Sequence, residues 1–157
     1  EVLDIDPANP QATIVTDLAA ADSIAEGQFD CFILTQTLQL IYATDSASEH
    51  AYRILKPGGV LLVTVPTMSK LVSPADYWRF TPAACTVLFG RVFGHEQVSV
   101  QAYGNVLIAT AFLMGMAWEE LKPHELAIND PRFPLIITIR AVKRALPPET
   151  CGKGGNT

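Results

Sequence analysis

Residues 29–66 limit the possible folds of this chain more than any other stretch, because they read strand, loop, helix, turn, strand. Phe29-Asp30-Cys31-Phe32-Ile33-Leu34 is a short apolar run that gives out in polar Thr35 and Gln36. A run of that length suits a strand buried on both faces of a parallel sheet. Ser46 or Ser48 can then cap a helix with Ala51, Ile54 and Leu55 on one side. Lys56-Pro57-Gly58-Gly59 stops that helix, since proline cannot continue it and glycine tolerates the reversal. A second apolar strand, Val60 to Val65, follows at once and closes at Pro66. Two buried strands joined by a crossover helix predict a right-handed βαβ unit.

The flanks extend the alternation. Glu1 to Pro7 is a strand ending in acids and a proline, and Ala12 to Thr16 is a second short strand followed by Asp17 and Leu18. Ala19 to Glu26 fits a short helix or a loop. Thr67 to Asp76 has no periodicity and reads as a loop that can cover a site. Thr81-Pro82 predicts an N-cap followed by proline at the first helical position, with Cys85, Leu88, Phe89 and Val92 on one face. Gln97 to Tyr103 alternates as a strand, Asn105 to Leu121 reads as a long apolar helix, and Leu135 to Val142 is a closing strand. The Pro- and Gly-containing end, residues 147–157, is expected to be a flexible tail after a domain spanning 1–146. The predicted class is α/β, a Rossmann-like, mostly parallel sheet with one antiparallel closing strand and helices on both faces.

A chain of 157 residues, about half of them apolar and few charged, can bury a core as one domain. Its net charge of −5, with scattered Lys and Arg, excludes a nucleic-acid backbone as the main partner. Three cysteines, far apart and in no CxxC pair, point to a reducing, cytoplasmic setting, with Cys31 and Cys85 read as buried small hydrophobes. His50, His95 and His124 lack metal-ligand spacing, so no metal site is expected. The uncharged run from Val106 to Trp118 is too short to cross a bilayer. It fits a buried or subunit-facing helix, with contact to a lipid-linked acceptor or a membrane surface as the alternative.

Ligands of such sheets bind at the carboxyl ends of the strands. Asp4, ahead of Asp6, stands where a carboxylate can accept hydrogen bonds from a ribose diol; an exposed strand-end acid is the plain alternative. Asp17 ends the next strand, placed to meet an adenine amino group. Thr35 and Gln36 end the central strand and face the crevice, unless they are ordinary loop polarity.

Taken together, VLDIDP, IVTDL, FDCFILTQTLQLI, RILKPGGVLLVTVP and DYWRFTP resemble successive motifs of class I S-adenosylmethionine-dependent methyltransferases of the type 11 group, in particular a bacterial subset with the DYWRFTP segment. The resemblance covers Glu1 to about Arg144. It implies S-adenosylmethionine as cofactor, with Asp4 and Ile5 at the ribose, Asp17 and Leu18 at the adenine, Thr35 and Gln36 near the methionine portion, and Tyr77, Trp78 and Arg79 on the acceptor side. It implies a small-molecule or glycan- or lipid-linked methyl acceptor. Two departures stand out. The family's first strand and glycine-rich loop have no counterpart ahead of Glu1, and Leu38-Gln39-Leu40-Ile41 replaces the usual Leu-Glu-His-Val, which leaves the catalytic residues unknown. The expectation is therefore an impaired methyltransferase, weak in cofactor binding. A non-catalytic binding or oligomerisation module is the main rival, and a nicotinamide-dependent oxidoreductase a more distant one. Unpaired strand edges and the uncharged helix together predict a homo-oligomer.

Overall fold

The structure is a computed structural model and describes residues 1–145. The expected tail at 147–157 lies outside them. The elements in chain order are β1 (Leu3–Asp4), β2 (Ile14–Val15), β3 (Phe29–Thr35), α1 (Thr44–Ile54), β4 (Leu55–Pro66), α2 (Pro82–Phe93), β5 (Val98–Tyr103), α3 (Val106–Leu113), α4 (Pro123–Ala127) and β6 (Ile136–Val142). Single 3-10 turns lie at Leu18–Ala20, Leu38–Leu40, His95–Gln97 and Trp118–Glu120.

β3 and β4 pair in parallel, and β6 inserts between β4 and β5, antiparallel to both. β3, β4 and β5 therefore run one way and the closing strand alone runs back. β1 and β2 form a separate parallel pair. The expected α/β class, mostly parallel with one reversed strand, is what the chain adopts.

The core forms where alternate residues of the sheet meet two helices. Leu61, Val63 and Val65 of β4 and Ile137, Ile139 and Ala141 of β6 are buried against Ala47 and Ala51 of α1 and Cys85, Phe89 and Phe93 of α2. Burial of this kind stabilises by about 1.5–3 kcal/mol for each large side chain. Thr81 caps α2 by accepting from the Ala84 amide at 3.2 Å, with Pro82 behind it as expected.

Several local expectations change in the structure. α1 and α2 cover the same face of the sheet, so β3 is not buried on both faces: Ile33 is 62% exposed and Cys31 is exposed, while Cys85 is buried. α1 begins at Thr44 after Ala43, with no side-chain cap from Ser46 or Ser48. Leu55 is already in β4, and the Lys56-Pro57-Gly58-Gly59 segment is a bulge, where pairing steps from Phe29–Leu55 to Cys31–Val60. A β-carbon on Gly59 would stand 2.8 Å from the Lys56 carbonyl oxygen, which no side chain tolerates. The long apolar helix is short, because the chain leaves α3 after Leu113 and turns at Gly115 with φ +75°.

Between β1 and β3 runs an apolar groove of about 400 Å³, walled by Leu3, Ile14, Phe29, Cys31 and Phe32 among others. No helix of the described residues is long and apolar enough to cross a membrane.

Candidate functional site

The carboxyl ends of β1 and β2 open into a crevice of about 580 Å³. Five of the residues singled out from the sequence line it: Asp4 and Ile5 from the end of β1, Asp17 and Leu18 after β2, and Tyr77 from the loop after β4. The Leu38–Leu40 turn and its exit supply the far wall, with Thr37, Leu40, Ile41 and Tyr42. Leu3, Leu18, Thr37 and Ile41 also wall the apolar groove, so crevice and groove adjoin.

Asp4 is held as an anion. One carboxylate oxygen accepts from the Asp6 amide at 3.0 Å and the other from the Asn9 side-chain amide at 2.5 Å. Those bonds, the Asp6 amide first, hold its pKa below the usual carboxylate range. An ionised carboxylate has about four acceptor sites, so two remain for a ligand hydroxyl. Asp17 accepts from the Ala19 amide at 2.8 Å and caps the turn at Leu18–Ala20. Leu18 is buried beneath it and supplies an apolar floor, while Ile5 is 67% exposed at the rim.

The aromatic wall comes from a loop tied down at several points. The Tyr77 and Trp78 amides both donate to the Gln39 carbonyl, at 2.9 and 3.3 Å, and the Trp78 indole donates to the Ile41 carbonyl at 3.0 Å. Tyr42 packs edge-on against Tyr77, with ring centroids 5.4 Å apart, and lies 6.1 Å from Trp78. All three rings remain substantially exposed. Arg79 does not reach the crevice: its guanidinium forks onto Asp76 at 2.6 and 3.0 Å and also donates to the Ser69, Lys70 and Trp78 carbonyls. It is a staple for the loop.

Thr35 and Gln36 lie elsewhere. Thr35 belongs to the open face of the sheet beside Ile33 and Thr64. Gln36, with φ +50°, turns its amide nitrogen onto the Thr64 hydroxyl at 3.2 Å. Neither lines the crevice. Trp78 and Arg79 instead wall a second hollow, with Phe80, Val87 and Arg91. Sequence reasoning missed Thr37 and Tyr42. Tyr42 directly follows the Leu38–Ile41 segment that replaces Leu-Glu-His-Val, and an aromatic at that point was the available signal.

The crevice lining contains no His, Cys or Lys. Its chemistry is two carboxylates for hydroxyl and amino groups, apolar side chains for a ring, and phenols at the mouth. Among the described residues no group of three or more His, Cys, Asp or Glu could hold a metal ion.

Residues 4–63 match the family model of the methyltransferase domain. No curated protein sequence matches the chain. Among solved structures, a SAM-dependent methyltransferase from Archaeoglobus fulgidus superposes with a TM-score of 0.60 at 12% identity, over 90% of this chain and 74% of that one. A SAM-dependent methyltransferase from Thermotoga maritima, described as a possible histamine N-methyltransferase, gives 0.56 at 17% identity, over 83% of this chain and 63% of that one. The [4+2]-cyclase SpnF gives 0.55 at 17% identity, over 84% of this chain and 55% of that one. The chain thus spans less than two thirds of the last two. Fold and matched segment agree: the chain has the Rossmann-like α/β fold of S-adenosylmethionine-dependent methyltransferases, and its residues 4–63 carry the methyltransferase-domain match.

Proposed function

We propose that the crevice is the adenosyl end of an S-adenosylmethionine site, and that the chain serves methyl transfer to a small-molecule or glycan- or lipid-linked acceptor. The observation that carries this reading is the convergence of Asp4, Ile5, Asp17, Leu18 and Tyr77 on one crevice at the strand ends. The residues fit the adenosyl group. Asp4 has free acceptor sites that would take the ribose hydroxyls, Asp17 would accept from the adenine amino group, and Leu18 and Ile5 would flank the ring. The bound cofactor would supply the electrophilic methyl group. The chain's own part is to bind, to orient and to exclude water, and much of such a reaction's acceleration comes from positioning two reactants.

Binding by this chain alone is weak in this account. The crevice shares Leu3, Leu18, Thr37 and Ile41 with the β1–β3 groove, which leaves a ligand there poorly enclosed. Isothermal titration with S-adenosylhomocysteine tests the reading. The account expects a dissociation constant weaker than micromolar, further weakened about ten- to a hundredfold by Asp4→Ala. Unchanged affinity in that variant removes Asp4 from the site.

A second reading, a binding module without turnover, draws on one observation. The lining offers no His or Lys, only two carboxylates that already accept intramolecular hydrogen bonds and two exposed phenols. A product assay with candidate acceptors separates the two: methylated product with a measurable rate excludes the module reading.

A further inference from the structure

We propose that Tyr42 and Tyr77, backed by Trp78, form a receiving corner for the organic ammonium group of a small molecule. The proposal stands apart from the cofactor reading, since it concerns the mouth of the crevice and needs no second ligand. A cation is drawn to the electron-rich face of an aromatic ring, and the pull grows where water is displaced.

Tyr42 is 71% exposed, Tyr77 50% and Trp78 38%. Apolar side chains scattered singly over a surface are ordinary, but these three rings are packed together. The planes of Tyr42 and Tyr77 stand 74° apart with centroids 5.4 Å apart, close to a right angle, and both residues line the crevice. Trp78 lies tilted at 30° to Tyr42, 6.1 Å away, and walls the neighbouring hollow, so it supports Tyr42 from outside the crevice. The wall is held before any ligand arrives. The Tyr77 and Trp78 amides donate to the Gln39 carbonyl and the Trp78 indole to that of Ile41. Rings fixed in this way lose little freedom when a ligand meets them.

Electrostatics select the sign of the occupant. The crevice lining includes two carboxylates, Asp4 and Asp17, and no Lys, Arg or His. Arg79 follows Trp78 directly and has the reach to cover the rings, but its guanidinium is withdrawn onto Asp76. The cation–π pairs of the described residues lie elsewhere, Arg132 on Phe133 and Lys143 on Tyr52. Bare ring faces beside carboxylates without a cationic partner complement a positive charge and repel a negative one. The same carboxylates disfavour a phosphate, so a free organic amine fits the corner better than a phospholipid headgroup does.

A nitrogen–proton correlation titration of the full chain with choline, at constant ionic strength and without cofactor, tests this. The expected result is saturable shifts at millimolar choline of the Tyr42 and Tyr77 amides and the Trp78 indole. The neutral carbon analogue, in which a tert-butyl group replaces the trimethylammonium, should leave them unmoved. Tyr42→Leu should weaken choline about three- to tenfold, whereas Tyr42→Phe, which keeps the ring, should retain the affinity. Phosphocholine should bind more weakly than choline. Absence of saturable shifts with choline overturns the proposal, as does an equal response to the neutral analogue, which would make the corner merely apolar. Full affinity in Tyr42→Leu overturns it too, and tighter binding of phosphocholine would assign the corner to a headgroup and overturn it equally.

Discussion

The indole nitrogen of Trp78 donates to the carbonyl of Ile41 at 3.0 Å, joining the loop after β4 to the turn that walls the crevice. The two residues are far apart in sequence, and this bond, with the Tyr77 and Trp78 amides on the Gln39 carbonyl, sets where the aromatic wall stands. Trp78→Phe keeps the ring and deletes the donor. It should lower stability by about 0.5–1.5 kcal/mol in urea unfolding. It should also speed hydrogen exchange at the Tyr77 amide. Unchanged exchange would mean that the backbone bonds alone hold the loop.

Lys143 is 7% exposed, and its ammonium donates to the Leu55 and Arg53 carbonyls at 2.8 and 3.2 Å, with the Tyr52 ring 4.7 Å away. It thereby adds a charged donor where α1 runs into β4, to the Leu55 carbonyl and to an Arg53 carbonyl that also accepts from the Gly27 amide at 3.0 Å. Lys143→Met preserves the stem and removes the donors, and should cost about 1–3 kcal/mol, the scale for stranding buried acceptors. Denaturant unfolding of the variant measures this, and a loss below a few tenths would contradict the assigned role.

The Arg79 guanidinium on Asp76 holds that carboxyl below its ordinary pKa, and Asp130, beside Arg132, is lowered in the same way. A carboxyl with a lowered folded pKa adds stability above its unfolded pKa, near ~4, and loses it as pH falls through the folded value. Stability should therefore change little from neutrality down to about pH 5 on account of these pairs and decline below about pH 4. Asp76→Asn should reduce stability at neutral pH and flatten the decline. Unfolding curves across that range test both, and an unaltered slope in the variant would exclude Asp76 as a contributor.

Burial pushes the Cys85 thiol up to about 12, whereas Cys31 lies exposed on the open face of β3. Since the thiolate is the reactive form, Cys31 should react readily with a thiol-specific disulfide reagent in a Cys151→Ser background, and Cys85 only on unfolding. Two fast thiols in that background would place Cys85 at the surface.

The alternation of strand and helix was legible in the residues. Apolar runs at Phe29–Leu34, Val60–Val65 and Leu135–Val142 are strands, and Thr81-Pro82 starts a helix where capping chemistry says it should. Convergence was partly legible too: Asp4 and Asp17 end consecutive strands, and parallel pairing brings strand ends together. What failed was local. Cys31 and Ile33 have the composition of a doubly buried strand, yet burial depends on which face α1 and α2 choose, and a strand's sequence does not carry that. Thr35 missed the crevice because strand alternation sets it on the open face with Ile33, and Gln36, at positive φ, turns its side chain onto Thr64. Arg79 belonged with the acceptor side by resemblance, but Asp76, three residues earlier, is a closer partner for its charge. The apolar run after Asn105 has helical composition throughout, and Gly115 ends the regularity.

The most direct test of the central claim is a nitrogen–proton correlation titration with S-adenosylhomocysteine, which detects weak binding residue by residue. The account predicts saturable shifts at the amides of Asp4, Ile5, Asp17, Leu18 and Tyr77, lost on Asp4→Ala, with the amides of α3 unmoved. Shifts confined to the open sheet face around Ile33, Thr64 and Gln101, or none at millimolar ligand, would contradict it.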